Sequence, residues 1–287
     1  MNDRVPFGIL LGVGAYSLFS IHDAANKWLV GSFPVWQVMA FRSGFIVIAC
    51  LVAGRTKLVA RAIETPLKLP LIGRGAITMT AWMLYFTAAR HVPLAQLMTL
   101  YFSAPIITTL LAIPLLGERV NRARWISLGL GFSGVLAASD PFGLKLSLDT
   151  VMVLAAAGLW GYAIILMRQI ARKESSLLQM LFQNLCFLVV TLPLTIFTWV
   201  TPDPLQLTVL LSIGVMGACG QYMLFEGCRL APASVMGTVE YTGLLWAFLL
   251  GYWVFGDIPS MAVTLGAALI SCAGVYLFVT ERRAASV

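Results

Sequence analysis

Two charged residues stand in the middle of long apolar runs, Arg42 in "AFRSGF" and Glu240 in "GTVEYT". A charge at mid-bilayer costs about 2.5–3.5 kcal/mol on insertion scales, so each needs a partner or a purpose. Arg42 suits a substrate carboxylate; the alternative is a structural arginine paired with Asp23 or with carbonyls of a neighbouring helix. Glu240 has no basic residue three or four positions away, so its partner comes from another helix, from water or from substrate. It can bind a substrate ammonium, carry a proton, or pack as a neutral carboxylic acid. Asp23 and Lys27 share a helix face at i,i+4 and can neutralise each other beside a gate, with Lys27 near enough to a helix end to snorkel. His22 with Asn26 makes a second polar pair, read as a satisfied structural histidine rather than a proton relay. Gln183 and Asn184 suit hydrogen bonding between helices, and Glu226 is explained by Arg229 three residues on.

Aromatic residues form the second constellation. Trp82, Tyr85 and Phe86 fall at i, i+3 and i+4, while Tyr101, Trp160, Tyr222 and the pair Tyr241 and Trp246 lie inside other apolar runs. An indole or phenol facing lipid has no partner for its NH or OH, so these rings are expected against a cavity or another helix. Such walls suit an apolar pocket with few polar anchors, and they can hold an ammonium by cation–π contact. Simple helix packing is the competing explanation for any one ring.

The elements that position these residues follow from composition. The chain has 287 residues, 60% hydrophobic and 11% charged, with a mean hydropathy of +0.90. Soluble domains carry about 25% charged residues, so a soluble enzyme, a disordered chain and a nucleic-acid binder are excluded. A span needs about 20 apolar residues in helix. That template gives spans near 6–29, 34–53, 71–89, 93–115, 125–139, 150–169, 176–199, 206–228, 233–255 and 261–279. The first is read as a retained span, not a cleaved signal peptide. Of the 19 Lys and Arg residues, all but Lys27, Arg42, Arg90 and Lys145 fall at the start, at the end, or in alternate gaps. The positive-inside rule therefore puts both termini in the cytoplasm and makes the span count even. The cysteines Cys50, Cys186, Cys219, Cys228 and Cys272 have no metal-ligand spacing and read as buried thiols. No GxxxxGK[ST], GxSxG or HExxH is present, so no catalysis, cofactor or metal is expected.

The chain also repeats itself. At a shift of 139, Met83–Phe102 falls on Tyr222–Tyr241, matching Phe86 with Phe225, Arg90 with Arg229 and Pro93 with Pro232, and Gly117-Glu118 falls on Gly256-Asp257. At a shift of 142, Trp36–Phe45 pairs Gln37 with Gln179. Five spans per copy is an odd number, so the second copy enters the membrane from the opposite side. Inverted repeats of this kind are a transporter signature, with the site at their interface near mid-bilayer. A passive channel or an assembly subunit is the non-transporting alternative.

The run from Pro93 to Val120 ending in Gly117-Glu118, its copy from Pro232 to Asp257, and "GAALISCAGV" resemble the drug/metabolite transporter superfamily in its ten-helix branch of two EamA-type repeats. The second copy departs from the first: Asp257 replaces Glu and Leu244 stands opposite Pro105, while Gln169 and Asn184 replace Lys27 and Arg42. The resemblance implies an all-α integral membrane protein with ten transmembrane helices. These form two inverted five-helix repeats, 1–140 and 141–287, around a central cavity. It implies alternating access for a small-molecule substrate in a bacterial inner membrane, by a monomer or homodimer in the lipid bilayer with no nucleic-acid partner. The nearest branch is that of amino-acid exporters, with another metabolite such as a nucleoside-like cofactor, a carboxylate or a quaternary amine as the alternative cargo. The expected substrate residues are Arg42, Trp82, Tyr85, Tyr101, Trp160, Tyr222, Glu240 and Trp246, with His22, Asp23, Lys27, Gln183 and Asn184 as gating or structural groups.

Overall fold

The computed structural model describes residues 4–30, 32–88, 100–139, 147–255 and 261–285. Those residues fold into helices and no strands: α1 Val5–Val30, α2 Val35–Glu64, α3 Lys68–Ala88, α4 Ala104–Leu116, α5 Arg122–Ser139, α6 Leu148–Ala171, α7 Ser176–Phe197, α8 Pro204–Leu230, α9 Ala233–Glu240, α10 Thr242–Phe255 and α11 Met261–Ala285. Six of them are long and apolar enough to cross a bilayer. The protein is a multi-pass membrane protein, and helices suit hydrocarbon because they pair most of their backbone polar groups internally.

Local chemistry sets the helix ends. Asp203 caps α8 in a reciprocal box with Gln206, while Ser147 and Ser175 cap α6 and α7 through side-chain oxygens. Gly117 ends α4 at φ 66°, a left-handed conformation that glycine adopts without steric cost. Within α2 the helix kinks at Arg55, φ 51°. The ninth span is not one helix as the sequence suggested but two, α9 and α10, divided at Tyr241. A matching break at 102–103 precedes α4, where Pro105 lacks the N–H that would continue the helix. No proline stands at the second break. There the Thr242 hydroxyl donates to the Val239 carbonyl (2.6 Å) and occupies a backbone acceptor.

The helices pack in crossed pairs. α1 lies against α8 and α3 against α6; α2 packs on α7, and α5 on α11. Close approach depends on small residues: a Cβ at Gly8 would lie 2.7 Å from the Ala231 Cβ, and one at Gly134 would lie 2.7 Å from the Gly266 carbonyl. The two helix breaks meet at the centre. The Phe102 and Tyr241 rings lie 5.8 Å apart, and the Tyr241 hydroxyl donates to the Phe102 carbonyl. Those two residues are partners in the 139-residue repeat.

One end of the bundle is bound together by basic and acidic side chains. Glu118 accepts from the Ala233 and Ser234 amides (2.7 and 3.2 Å) and from the Ser234 hydroxyl, clasping the N-terminus of α9. Arg124 grips Glu281 with two hydrogen bonds, Arg61 and Thr65 converge on Glu174, and Arg168 donates to the last carbonyls of α8.

Candidate functional site

Arg42 sits on α2 facing α8, buried, with its guanidinium 5.6 Å above the Trp82 ring. It fits because residue 217 is glycine: a Cβ there would lie 2.8 Å from the Arg42 Nε. The Nε has no hydrogen-bond partner, and Arg42 makes no ion pair with a described residue. The alternative of a structural pair with Asp23 is therefore not what the structure holds, although Asp23 is near enough to interact electrostatically. Trp82 is fixed edge-on to Phe187 at 5.8 Å, so α3 and α7 together orient the ring that carries the cation. A planar cation over an indole gains about 0.5–2 kcal/mol and still presents N–H donors to a carboxylate.

Glu240 is the last residue of α9 and is buried at the break. The Trp160 indole donates to its Oε1 at 2.9 Å, and its Oε2 has no partner. The buried Tyr16 hydroxyl lies beside this carboxylate. Among the described residues no cation pairs with this carboxylate, and a buried carboxylate of that kind can take a proton or a positive ligand.

Tyrosines connect the two charged groups. Tyr85 and Tyr101 meet edge-to-face at 4.9 Å, and Tyr101 lies within electrostatic reach of both Glu240 and Asp23. Asp23 lies inside α1, and its side chain is 72% exposed rather than packed against protein. It pairs with the buried His22 at 3.0 Å. The expected pairs Asp23–Lys27 and His22–Asn26 each include a side chain, Lys27 or Asn26, that lies outside the described residues. Together these groups offer donors for an anion at Arg42, acceptors for a cation at Glu240 and Asp23, and aromatic faces between.

Other expected residues fall elsewhere. Tyr222 is 44% exposed, on the same stripe of α8 as Val215 and Cys219, opposite the face where Gly217 meets Arg42. It is not part of the cluster. Trp246 is half-buried on α10 and makes no hydrogen bond or ring contact with the described residues. Gln183 and Asn184 do link helices, as their amide chemistry suggested: Gln183 accepts from Arg74, and Asn184 donates to Gln221 at 3.0 Å. Tyr16 and Gly217 were missed; the one visible signal was the 3.6-residue spacing of Tyr16 with Ser20 and Asp23. Arg74, read as part of a basic gap, lies inside α3 with no exposed surface. A lateral groove of about 370 Å³ between α1, α9, α10 and α11, lined by Val13, Val239, Leu245 and Phe278, is apolar and shares no residue with this cluster.

Comparison with known proteins agrees with this architecture. The EamA-like transporter family model matches twice, over residues 6–139 and 149–280. An S-adenosylmethionine uptake transporter of Rickettsia prowazekii is 24% identical over 272 residues, 93% of this chain and 90% of that one. A pseudopaline exporter of Pseudomonas aeruginosa is 26% identical over 283 residues, 98% of this chain and 99% of that one. A crystal structure sharing 20% identity superposes with a TM-score of 0.80 over 96% of this chain and 98% of the other, which establishes the fold. With two matches that together span nearly its whole length, the chain belongs to the EamA-like transporter family.

Proposed function

We propose that the protein is a secondary transporter for a small zwitterionic metabolite with an aromatic or apolar body, working by alternating access across a bacterial inner membrane with both termini in the cytoplasm. The observation that carries this is the Glu240 carboxylate with its open Oε2, set against the Arg42–Trp82 pair across Tyr85 and Tyr101. Substrate carboxylate would meet Arg42, and substrate cation would meet Glu240. The ten-span, two-repeat design is part of the same reading. It is supported by the two family matches, by the swapped pairing of α1 with α8 and α3 with α6, and by the contact of Phe102 with Tyr241 where both helices break. Broken helices at a midplane site are a general feature of inverted-repeat carriers.

Amino acids are the simplest compounds of this class. Among the described residues, Asp23 and Glu240 both lie within electrostatic reach of Tyr101, and Arg42 within reach of Asp23. A cargo with two cationic centres and one carboxylate would pair with all three groups. S-adenosylmethionine has this pattern together with a planar base, and it is the cargo named for the rickettsial relatives. Equilibrium binding to purified protein tests the assignment. Labelled S-adenosylmethionine should bind, amino acids should compete more weakly, and Glu240→Gln should lower affinity about 10- to 100-fold, the worth of one charged hydrogen bond. Absence of saturable binding for every zwitterion tried would remove the reading.

A further inference from the structure

We propose that Arg74, Gln179 and Gln183, at the junction of α3, α7 and α8, form a binding site for a small anion, distinct from the Arg42–Glu240 cluster. Arg74 has no exposed surface, and no carboxylate among the described residues lies within ion-pair distance of it. Its guanidinium donates from one Nη to the Gln183 Oε1 (2.6 Å) and from the other to the Gln179 carbonyl (3.0 Å), and it lies 4.8 Å over the Phe225 ring. These partners are neutral. Its Nε has no acceptor. Alongside, the Gln179 side chain is fully buried, and neither its Nε2 nor its Oε1 has a partner. A buried charge without a counter-charge is among the costliest arrangements a membrane protein holds, and one left with open donors selects for an anion.

The repeat makes the same point by contrast. The positions matching Arg74, Gln183 and Gln179 in the other copy are Ile213, Phe41 and Gln37. There, Ile213 and Phe41 pack as apolar neighbours, and the Gln37 amide is satisfied at both atoms by the backbone of Val200. One junction is therefore complete, while its counterpart carries a positive charge and an unfilled amide. The site is also removed from Arg42. Phe225, under Arg74, lies two turns of α8 beyond Gly217, under Arg42, which is about 12 Å along the axis.

The ligand is a compact monoanion that accepts from a guanidinium N–H and an amide N–H: a halide or a carboxylate group. Thermal unfolding of the full-length protein in detergent tests this, read by tryptophan fluorescence at fixed ionic strength, with bulky HEPES as the only other anion. Adding 100 mM chloride or acetate should raise the Tm by about 3 °C. Arg74→Met should lose the rise and, without small anions, melt no lower than wild type, while Arg42→Met should keep it. Equal Tm values in all three salts for the wild type, or a rise retained in Arg74→Met, would overturn the proposal. If Arg74→Met does not fold, Gln179→Leu replaces it: a roughly tenfold increase in the half-saturating anion concentration is expected, and an unchanged one overturns the site. Substrate titrated without other small anions distinguishes the source. Chloride competing for one of two bound substrates assigns the site to substrate carboxylate, and chloride binding beside one substrate assigns it to a free anion.

Discussion

At the residue scale, the site rests on two buried ionic groups left incomplete by the protein. Glu240 has its Oε1 filled by Trp160; on the proposed function, a proton and the cationic group of the substrate compete for its Oε2. Protonation removes the charge that attracts the cation; affinity should therefore fall as pH falls, and Glu240→Gln should bind weakly with no pH dependence. Equilibrium binding across pH 5–9 checks this, and a parallel slope in the variant would show that the proton acts elsewhere. Arg42 is a planar cation laid over Trp82. Arg42→Lys keeps the charge but loses the stacked fork, and binding should weaken about tenfold with little change in Tm.

At the element scale, the helix surfaces decide where these groups sit. Gly217 is the floor under Arg42, so Gly217→Leu should displace the guanidinium and reduce affinity more than tenfold while the protein still folds. Binding together with a Tm on the same sample separates the two effects. α9 is clasped at its N-terminus by Glu118 and carries Glu240 at its other end, about 12 Å away. Glu118→Ala should release that clasp, and an Ala233→Cys reporter should then react faster with a thiol reagent applied to the basic end; an unchanged rate would mean that the clasp does not close that end. Much of this was legible in the sequence. Arg42 and Glu240 stood out because charge in an apolar run is costly, and the amide chemistry of Gln183 and Asn184 pointed to interhelical bonds. The split of the ninth span was not legible, because Leu244 stands where Pro105 marks the first break and a Thr242 hydroxyl takes the carbonyl instead. Arg74 was misplaced because a basic residue near the end of a span looks the same whether it snorkels or turns inward. Tyr222 was misassigned because the spacing of an aromatic along α8 does not say which face has a neighbour.

At the scale of the whole molecule, the crossed pairing of α1 with α8 and α3 with α6 brings both halves to the site, Arg42 and Trp82 from one, Trp160 and Glu240 from the other. Alternating access, as proposed, requires the halves to move relative to each other, and Phe102 and Tyr241 are in contact between them. Reporter tags should place both termini in the cytoplasm; a periplasmic terminus would contradict the orientation. The most direct test is counterflow in proteoliposomes preloaded with unlabelled S-adenosylmethionine or, in parallel, with amino acids. The account predicts transient, saturable accumulation of labelled substrate by the wild type, and its loss in both Arg42→Gln and Glu240→Gln. Non-saturable flux without counterflow, or counterflow unchanged in both variants, would contradict it.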